Sequence, residues 1–388
     1  MESWLIIGFC SQCFHVETGL LNSLHTLSLP TAMSHTHQHK FTPALLVWHH
    51  TDNNRSLPWK SEKDPYKIWL SEIILQQTRA LQGLPYYMRF TEAYPTIQQL
   101  AAAADEEVYR IWQGLGYYNR CRNMLATARH IVTELSGIFP STYEGILSLK
   151  GIGPYTAAAI GSFAFGLPCA VVDGNVTRVL SRYFGIETPI DTTEGKNIFA
   201  TLAQELLPQD DSAAYNQAIM DLGATVCTPK APTCSECPLQ KNCEARISNL
   251  TSLLPIKSKK VLVTTRHFNY LVLRNDDFLW LQKRGEQDIW GNLFEPYLIE
   301  SDAALTRAEL TKLPEFKGLQ LPYTDMEYSG KSSQRLTHRI IEASFFTLQL
   351  SAKADLGKAS GSWVALSELN KMAFPKTVLS FLQNNLYF

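Results

Sequence analysis

The sequence predicts a multidomain chain, mainly α-helical in its first part and α+β in its second. Three observations carry this. Residues 40–250 break into apolar stretches of helical length separated by Gly and Pro. Cys227, Cys234, Cys237 and Cys243 fall within seventeen residues and mark a compact loop at the end of that region. Beyond it, FNYLVL and FLWLQKR read as strands joined by the hairpin signal Asn275-Asp276-Asp277. At 388 residues and 45% apolar content, the chain can bury two or three cores of ordinary size.

Residues 1–33 stand apart. MESWLIIGFC holds a short apolar run, but Glu2 replaces the positive start of a signal segment and no small-residue cleavage site is clear. Met33, just before SHTHQHKF, is a natural beginning. We read 1–33 as a non-native or disordered extension and Cys10 and Cys13 as incidental. Helices are then expected at Ala44–His50, with Thr42 and Pro43 as cap and first turn, and at Tyr66–Ala80. Further helices are expected at Pro85–Thr91, Asp105–Gly114 and Asn119–Ser136. Ser141 or Thr142 caps another that ends at Gly151, and Tyr155–Phe165 follows. Residues 34–247 form this helical region, 248–262 a polar linker, and 263–388 the α+β domain. The last has a strand at Ala343–Leu350 and helices near Ala303–Lys312 and Lys376–Asn384. Cys121 and Cys169 sit in apolar settings and read as core.

The four cysteines read C-x6-C-x2-C-x5-C. Thiolates this close usually hold a metal centre, because such a loop has little core of its own. Zinc sites pair two C-x2-4-C knuckles. The outer gaps here are too wide for that, and the spacing suits an Fe–S cube. A pair of disulfides is the alternative, weakened by the absence of a secretory segment.

This loop follows NQAIMDLGATVCT and resembles the cluster loop of the endonuclease III superfamily of DNA glycosylases. LKGIGPYTAAAI (Leu149–Ile160) resembles that superfamily's helix-hairpin-helix, and VVDGNVTRV its catalytic-aspartate segment. WLSEIILQQT and WQGLGYYNR narrow the resemblance to the MutY family of adenine glycosylases. The resemblance is dense from Leu57 to Cys243 and weaker beyond. It implies a helix-hairpin-helix glycosylase region with one 4Fe-4S cluster, followed by a Nudix-like domain. The acidic metal-binding helix of true Nudix hydrolases is not visible after Gly291, so recognition rather than pyrophosphate hydrolysis is expected there.

Breaking an N-glycosidic bond needs an acid to protonate the departing base and a negative charge to stabilise the sugar cation. Glu72, flanked by Trp69, Ile73 and Ile74, has the apolar setting that raises a carboxyl pKa. It matches the family's general acid. Asp173 matches the carboxylate that stabilises the sugar, and Asn175 the residue that orients it. Read without the family, Glu72 is more readily a paired or capping carboxylate and Asp173 a plain N-cap. Tyr155 stands where bifunctional relatives carry a nucleophilic lysine, and Thr177 where some carry another, so no amine is placed to form a Schiff base. A monofunctional enzyme follows, with Tyr155 in the active site.

Gly151 and Gly153 open a helix whose N–H groups can hold a DNA phosphate. A buried adenine must be flipped out. By resemblance, Gln77, beside Thr78 in the same LQQT run, is the wedge into the stack. Tyr117 inserts beside the opposite base, shaped by Leu115 and Gly116. Arg55, Trp59 and Gln217 line the adenine pocket, with Lys60 where relatives often have arginine. Leu336-Thr337-His338 stands for the Phe-Ser-His loop that probes 8-oxoguanine; Thr337 and His338 keep the polar groups and the aromatic is lost.

The net charge is −1, which argues against a generic basic nucleic-acid binder. Basic residues concentrate instead in Lys241–Arg266 and Tyr117–His130. No stretch reaches membrane-helix length. The expected partner is duplex DNA carrying adenine opposite 8-oxoguanine or guanine, bound by a monomer in the cytoplasm, at a bacterial nucleoid. Two rivals stay open: an endonuclease III-like lyase for oxidised pyrimidines, and a non-catalytic Fe–S DNA-binding protein.

Overall fold

The computed structural model describes residues 35–258, 262–356 and 361–386. The expected extension 1–33 lies outside these, as do Cys10 and Cys13. The described chain packs as two units. One takes residues up to Gln98 together with those from Ala126 to the linker; the other joins Gln99–Leu125 to the residues beyond the linker.

The helices in chain order are α1 (His35–Thr51), α2 (Pro65–Leu75), α3 (Ala80–Ala93), α4 (Ile97–Ala102), α5 (Asp105–Trp112) and α6 (Asn119–Glu134). They continue with α7 (Tyr143–Leu147), α8 (Pro154–Phe165), α9 (Gly174–Phe184), α10 (Thr193–Leu206), α11 (Ser212–Thr225) and α12 (Glu244–Ile247). Two differ from expectation through proline. Pro43 lies inside α1 and Pro85 inside α3, where they were expected in first turns. Tertiary packing overrides the local cost of the missing N–H: Phe41 and Leu45 are fully buried around Pro43, and Thr42 Oγ1 donates to the Leu206 carbonyl at 2.8 Å. The expected helix Tyr66–Ala80 is likewise broken at Gln76–Arg79, because Gln77 takes a left-handed φ of 55° that no helix tolerates.

The first unit's main core gathers α1, α9, α10 and α11 around Tyr183, Phe199, Tyr215 and Leu222. α2 packs on α8, whose Ala157, Ala158 and Ala159 permit close approach. Asn216 on α11 is fully buried and bonds three groups: it donates to Ser162 Oγ at 2.9 Å and the Cys169 carbonyl at 2.8 Å, and accepts from Val171 N at 3.0 Å. The segment leading to Asp173 is thereby tied to α8 and α11. Cys121 and Cys169 are buried, as expected of core residues.

The second unit holds a mixed seven-stranded sheet. Its strands are β1 (Thr264–Asn275), β2 (Phe278–Lys283), β3 (Phe294–Glu295), β4 (Tyr297–Ser301), β5 (Tyr323–Arg335), β6 (Arg339–Leu350) and β7 (Gly361–Ala365). The order is β3-β2-β1-β6-β5, with β4 on β1 and β7 on β2; among the described residues, β1 and β6 are the one parallel pair. Asn275 pairs with Phe278 across the expected hairpin, and Asp276 takes a φ of 50° at its turn. Besides α5 and the start of α6, this unit holds α13 (Arg307–Leu310), α14 (Pro314–Gly318) and α15 (Lys376–Leu386).

Candidate active site and cysteine loop

Two carboxylates meet in the first unit. Glu72 sits on α2 among the buried Ile68, Trp69, Leu70, Ile73 and Ile74, and only 7% of the residue is exposed. Burial pushes its pKa up to about 7; the Tyr155 hydroxyl, hydrogen-bonded to it, opposes that rise, and the nearby Asp173 charge adds to it. Tyr155, in the first turn of α8, is itself held well above its ordinary pKa by burial and by the two carboxylates. Its hydroxyl also faces Met220 Sδ at 3.9 Å. Glu72, Tyr155 and Asp173 thus form one cluster with a neutral tyrosine at its centre.

Asp173 is the N-cap of α9. Its Oδ1 accepts from the backbone N–H groups of Asn175 at 2.8 Å and Val176 at 2.7 Å; its Oδ2 accepts from Asn175 Nδ2 at 2.6 Å. Capping and orientation by Asn175 coexist in one side chain. Thr177 donates from Oγ1 to the Asp173 carbonyl at 2.7 Å and offers no amine. Lys150 precedes the hairpin with an exposed side chain, its carbonyl bonded by Thr127 Oγ1 at 2.7 Å. In that hairpin, Gly151 takes a φ of 79° and Gly153 caps α8 with open space at its Cβ position. α7 ends at Leu147, short of Gly151, and Thr142 is its cap: the side chain accepts from Gly145 N.

A second cluster lies on the N-terminal segment and α11. Arg55 Nη1 donates to Asp221 Oδ1 at 2.7 Å, and Gln217 Nε2 reaches the same oxygen at 3.1 Å. Lys60 Nζ pairs with Asp221 Oδ2. Asn53 Nδ2 bridges that Oδ2, at 2.7 Å, and His49 Nδ1, at 3.0 Å. Burial lowers the His49 pKa, consistent with a neutral ring accepting there. Trp59 stands edge-on to Tyr87, with ring centroids 5.3 Å apart. Gln77 lies at the α2–α3 turn, and Thr78 Oγ1 donates to the Gln76 carbonyl at 3.3 Å.

Cys227, Cys234, Cys237 and Cys243 are free thiols lining one cavity together with Arg182, Arg246 and Pro232. Burial raises the Cys237 thiol to about 12, and the other three sulfurs add to that. Among the described residues, no three His, Cys, Asp or Glu side chains converge as ligands for a single ion. The donor set is all sulfur and surrounds a cavity, which suits a multinuclear centre. Arg182 donates to Cys227 Sγ at 3.3 Å and to the carbonyls of Thr228 at 2.8 Å and Pro229 at 3.1 Å. Arg178 links the Cys227 carbonyl, at 2.7 Å from Nε, to Asn175 Oδ1, at 2.8 Å from Nη2.

In the second unit, Leu336–Arg339 forms the tight turn between β5 and β6, closed by Leu336 N–H to the Arg339 carbonyl at 2.7 Å. Thr337 and His338 are exposed at its tip. Thr337 Oγ1 lies 2.6 Å from the Tyr117 hydroxyl. Tyr117 is 46% exposed, takes a φ of 50°, and has Arg120 over its ring. Leu115 is buried in the core, and the Gly116 carbonyl accepts from Trp112 Nε1 at 3.0 Å and from Arg120 Nη2 at 3.2 Å.

Residues 70–205 match the model of the HhH-GPD superfamily of base excision DNA repair proteins, and residues 269–384 match a NUDIX domain. An adenine DNA glycosylase of Buchnera aphidicola subsp. Schizaphis graminum is 30% identical over 88% of this chain and 98% of its own. That of Buchnera aphidicola subsp. Baizongia pistaciae is 37% identical over 66% of this chain and 72% of its own. The chain belongs to the adenine DNA glycosylase family. The human adenine DNA glycosylase is 39% identical over 62% of this chain and 46% of its own. A solved thermostable thymine-DNA glycosylase matches with a TM-score of 0.51 and 30% identity, covering 55% of this chain and 98% of that one. This adenine DNA glycosylase homologue is therefore a base excision repair enzyme, a helical HhH-GPD region joined to a Nudix-like α+β domain.

Three side chains that sequence reading did not single out hold these clusters together: Asp221, Arg178 and Arg182. Asp221 is an acid in the otherwise apolar IMDLGA run, four residues after Gln217, a spacing that puts both on one helix face. Arg178 and Arg182 repeat the same spacing on α9. Asp221 was a detectable signal, an acid on an apolar helix; the two arginines were not, because α9 (GNVTRVLSRYF) mixes polar and apolar residues as a surface helix does.

Proposed function

We propose that the enzyme is a monofunctional glycosylase that excises adenine mispaired with 8-oxoguanine, or guanine, in duplex DNA. It acts as a monomer at the nucleoid. The observation that carries the chemistry is the buried Glu72, its pKa raised to about 7, beside Asp173, the N-cap of α9. Glu72 delivers a proton to the flipped base, and Asp173 stabilises the developing sugar cation. Asn175 holds the Asp173 carboxylate in place, and Tyr155 orients Glu72 without competing for a negative charge. Water is the final nucleophile, because neither Tyr155 nor Thr177 supplies an amine.

Gln77 and Thr78 wedge the stack, and Gly151 and Gly153 bind a backbone phosphate. Arg55, Trp59 and Gln217 receive the adenine, and Tyr117, with Leu115 and Gly116 behind it, meets the opposite base alongside Thr337 and His338. On this reading residues 263–388 serve recognition. In α13 the acid Glu309 is spent on a capping box with Thr306. Cys227, Cys234, Cys237 and Cys243 would hold one 4Fe-4S cluster, which supplies rigidity to a loop without a core of its own. Anaerobically purified protein should carry about four irons with broad visible absorbance; stoichiometric zinc and no iron would overturn that part.

Base release from duplexes carrying A opposite 8-oxoguanine, A opposite guanine, and thymine glycol tests the whole. Release should be fastest from the first, and no strand cleavage should accompany it. Preferential release of thymine glycol, with strand cleavage, would move the enzyme to the lyases.

A further inference from the structure

Asp221 is fully buried on α11, one turn after Gln217. A carboxylate only accepts hydrogen bonds, and this one meets four donors: Arg55 and Gln217 at Oδ1, Asn53 and Lys60 at Oδ2. Lys60 Nζ also donates to the Arg55 carbonyl, which ties the Asn53–Lys60 segment to the same point.

This arrangement fixes the polarity of two neighbouring side chains. The amide of Gln217 has one face that donates and one that accepts. Because Asp221 cannot donate, Nε2 must turn toward it, and Oε1 is left as the outward group. Arg55 engages Asp221 through Nη1, and its side chain remains 26% exposed. Its fork still has donors to offer. The pair therefore presents one fixed acceptor and a set of fixed donors.

We infer that Asp221 sets the base selectivity of the pocket by locking Gln217 with Oε1 as an acceptor beside the Arg55 donors. The inference rests on the proposed placing of Arg55 and Gln217 at the base. Adenine presents an exocyclic amine, a donor, to such an acceptor. Hypoxanthine and guanine present a carbonyl oxygen at the same position and would face acceptor against acceptor. A site built to pair a donor rejects the base that lacks it, because its own buried polar group is left unpaired. Asp221 touches no substrate on this account and is a positioning residue.

The test compares single-turnover release of adenine and hypoxanthine from otherwise identical duplexes, using the full chain. In Asp221→Asn the new side chain can donate or accept, so Gln217 is free to flip. The ratio of adenine to hypoxanthine release should fall about tenfold or more, with the adenine rate itself reduced. A double variant, Asp221→Asn with Lys60→Met, removes one of the two cations left without a counter-charge. It should recover thermal stability and keep the lowered ratio, and it carries the measurement if the single variant does not fold. Gln217→Ala is the control and should lower the ratio as well. If Gln217→Ala lowers the ratio and neither Asp221 variant does, Asp221 is only a strut and the inference fails. If Gln217→Ala leaves the ratio unchanged, the placing of the base pocket fails, which is a separate result.

Discussion

The Glu72–Asp173 cluster and the Tyr117–Thr337 pair are built in opposite ways. The first is buried and over-determined. Asp173 accepts three hydrogen bonds, two of them obligatory helix-cap bonds, and Glu72 is shut in against Tyr155. The second is exposed, joined by one hydroxyl contact of 2.6 Å, and rests on a tyrosine in a left-handed conformation. A reaction centre needs water excluded and charges fixed before the substrate arrives. On the proposed assignment Tyr117 and Thr337 read the base opposite the adenine, and a reading surface needs contacts that remain open to DNA.

The sharpest way to break this comparison is at Asp173. Asn caps a helix as well as Asp does, so Asp173→Asn keeps the two bonds from Asn175 N and Val176 N. Its amide nitrogen would then face Asn175 Nδ2, donor against donor, at a cost of about 1–2 kcal/mol. Single-turnover adenine release should nonetheless fall by about a thousandfold or more, because a neutral amide cannot stabilise a cation. Melting temperature and release rate together decide: a near-normal rate would make Asp173 a cap and nothing else.

Glu72→Gln should cost about 10²–10⁴ in rate, the usual range for a lost general acid. The pH dependence sharpens it. The Glu72 pKa is raised to about 7, so the wild-type rate should hold below pH 7 and decline above it, as the acid loses its proton. Stability follows the same sign. A raised carboxyl pKa contributes stability that is complete below the unfolded value and is lost as pH rises toward 7. From the ordinary glutamate value of 4.5 to about 7, the loss is on the order of 3 kcal/mol. Glu72→Gln should therefore melt higher than wild type at pH 8 and match it more closely near pH 5. Thermal melting at both values checks this; equal differences at the two would show that Glu72 is not buried as an acid.

The same contrast explains what was legible in the sequence. Asp173 was readable because a cap, a Gly-Asn turn and an apolar run converge on it, and Glu72 because an acid among Trp69, Ile73 and Ile74 is conspicuous. The β1–β2 hairpin was readable from its turn residues. Strand β5 was not: its exposed, alternating polar run Tyr323–Arg335 has no apolar face strong enough to register, and it forms only by pairing with β6. Pro43 and Pro85 misled because local cost gave way to burial of their neighbours. Nor could spacing reveal that Gln99–Leu125 packs with the second unit, since Gln113 Oε1 accepting from Phe374 N spans 261 residues.

That packing governs the last and smallest prediction. Deleting the Nudix-like domain would strip Gln99–Leu125 of the partners it packs against, so truncation confounds recognition with folding. Point changes at the hydroxyl pair avoid this. Thr337→Ala and Tyr117→Phe each remove one hydroxyl from an exposed contact and create no buried unpaired group, so melting should move by less than about 0.5 kcal/mol equivalent. Adenine release opposite guanine should be unchanged, since the carboxylates are untouched. Release opposite 8-oxoguanine should slow about two- to fivefold, the scale of one neutral hydrogen bond. Because the two hydroxyls act on each other, the double variant should lose no more than the larger single effect. A double variant that loses the product of both would mean that each hydroxyl contacts the DNA by itself, and the pair would then be two readers rather than one.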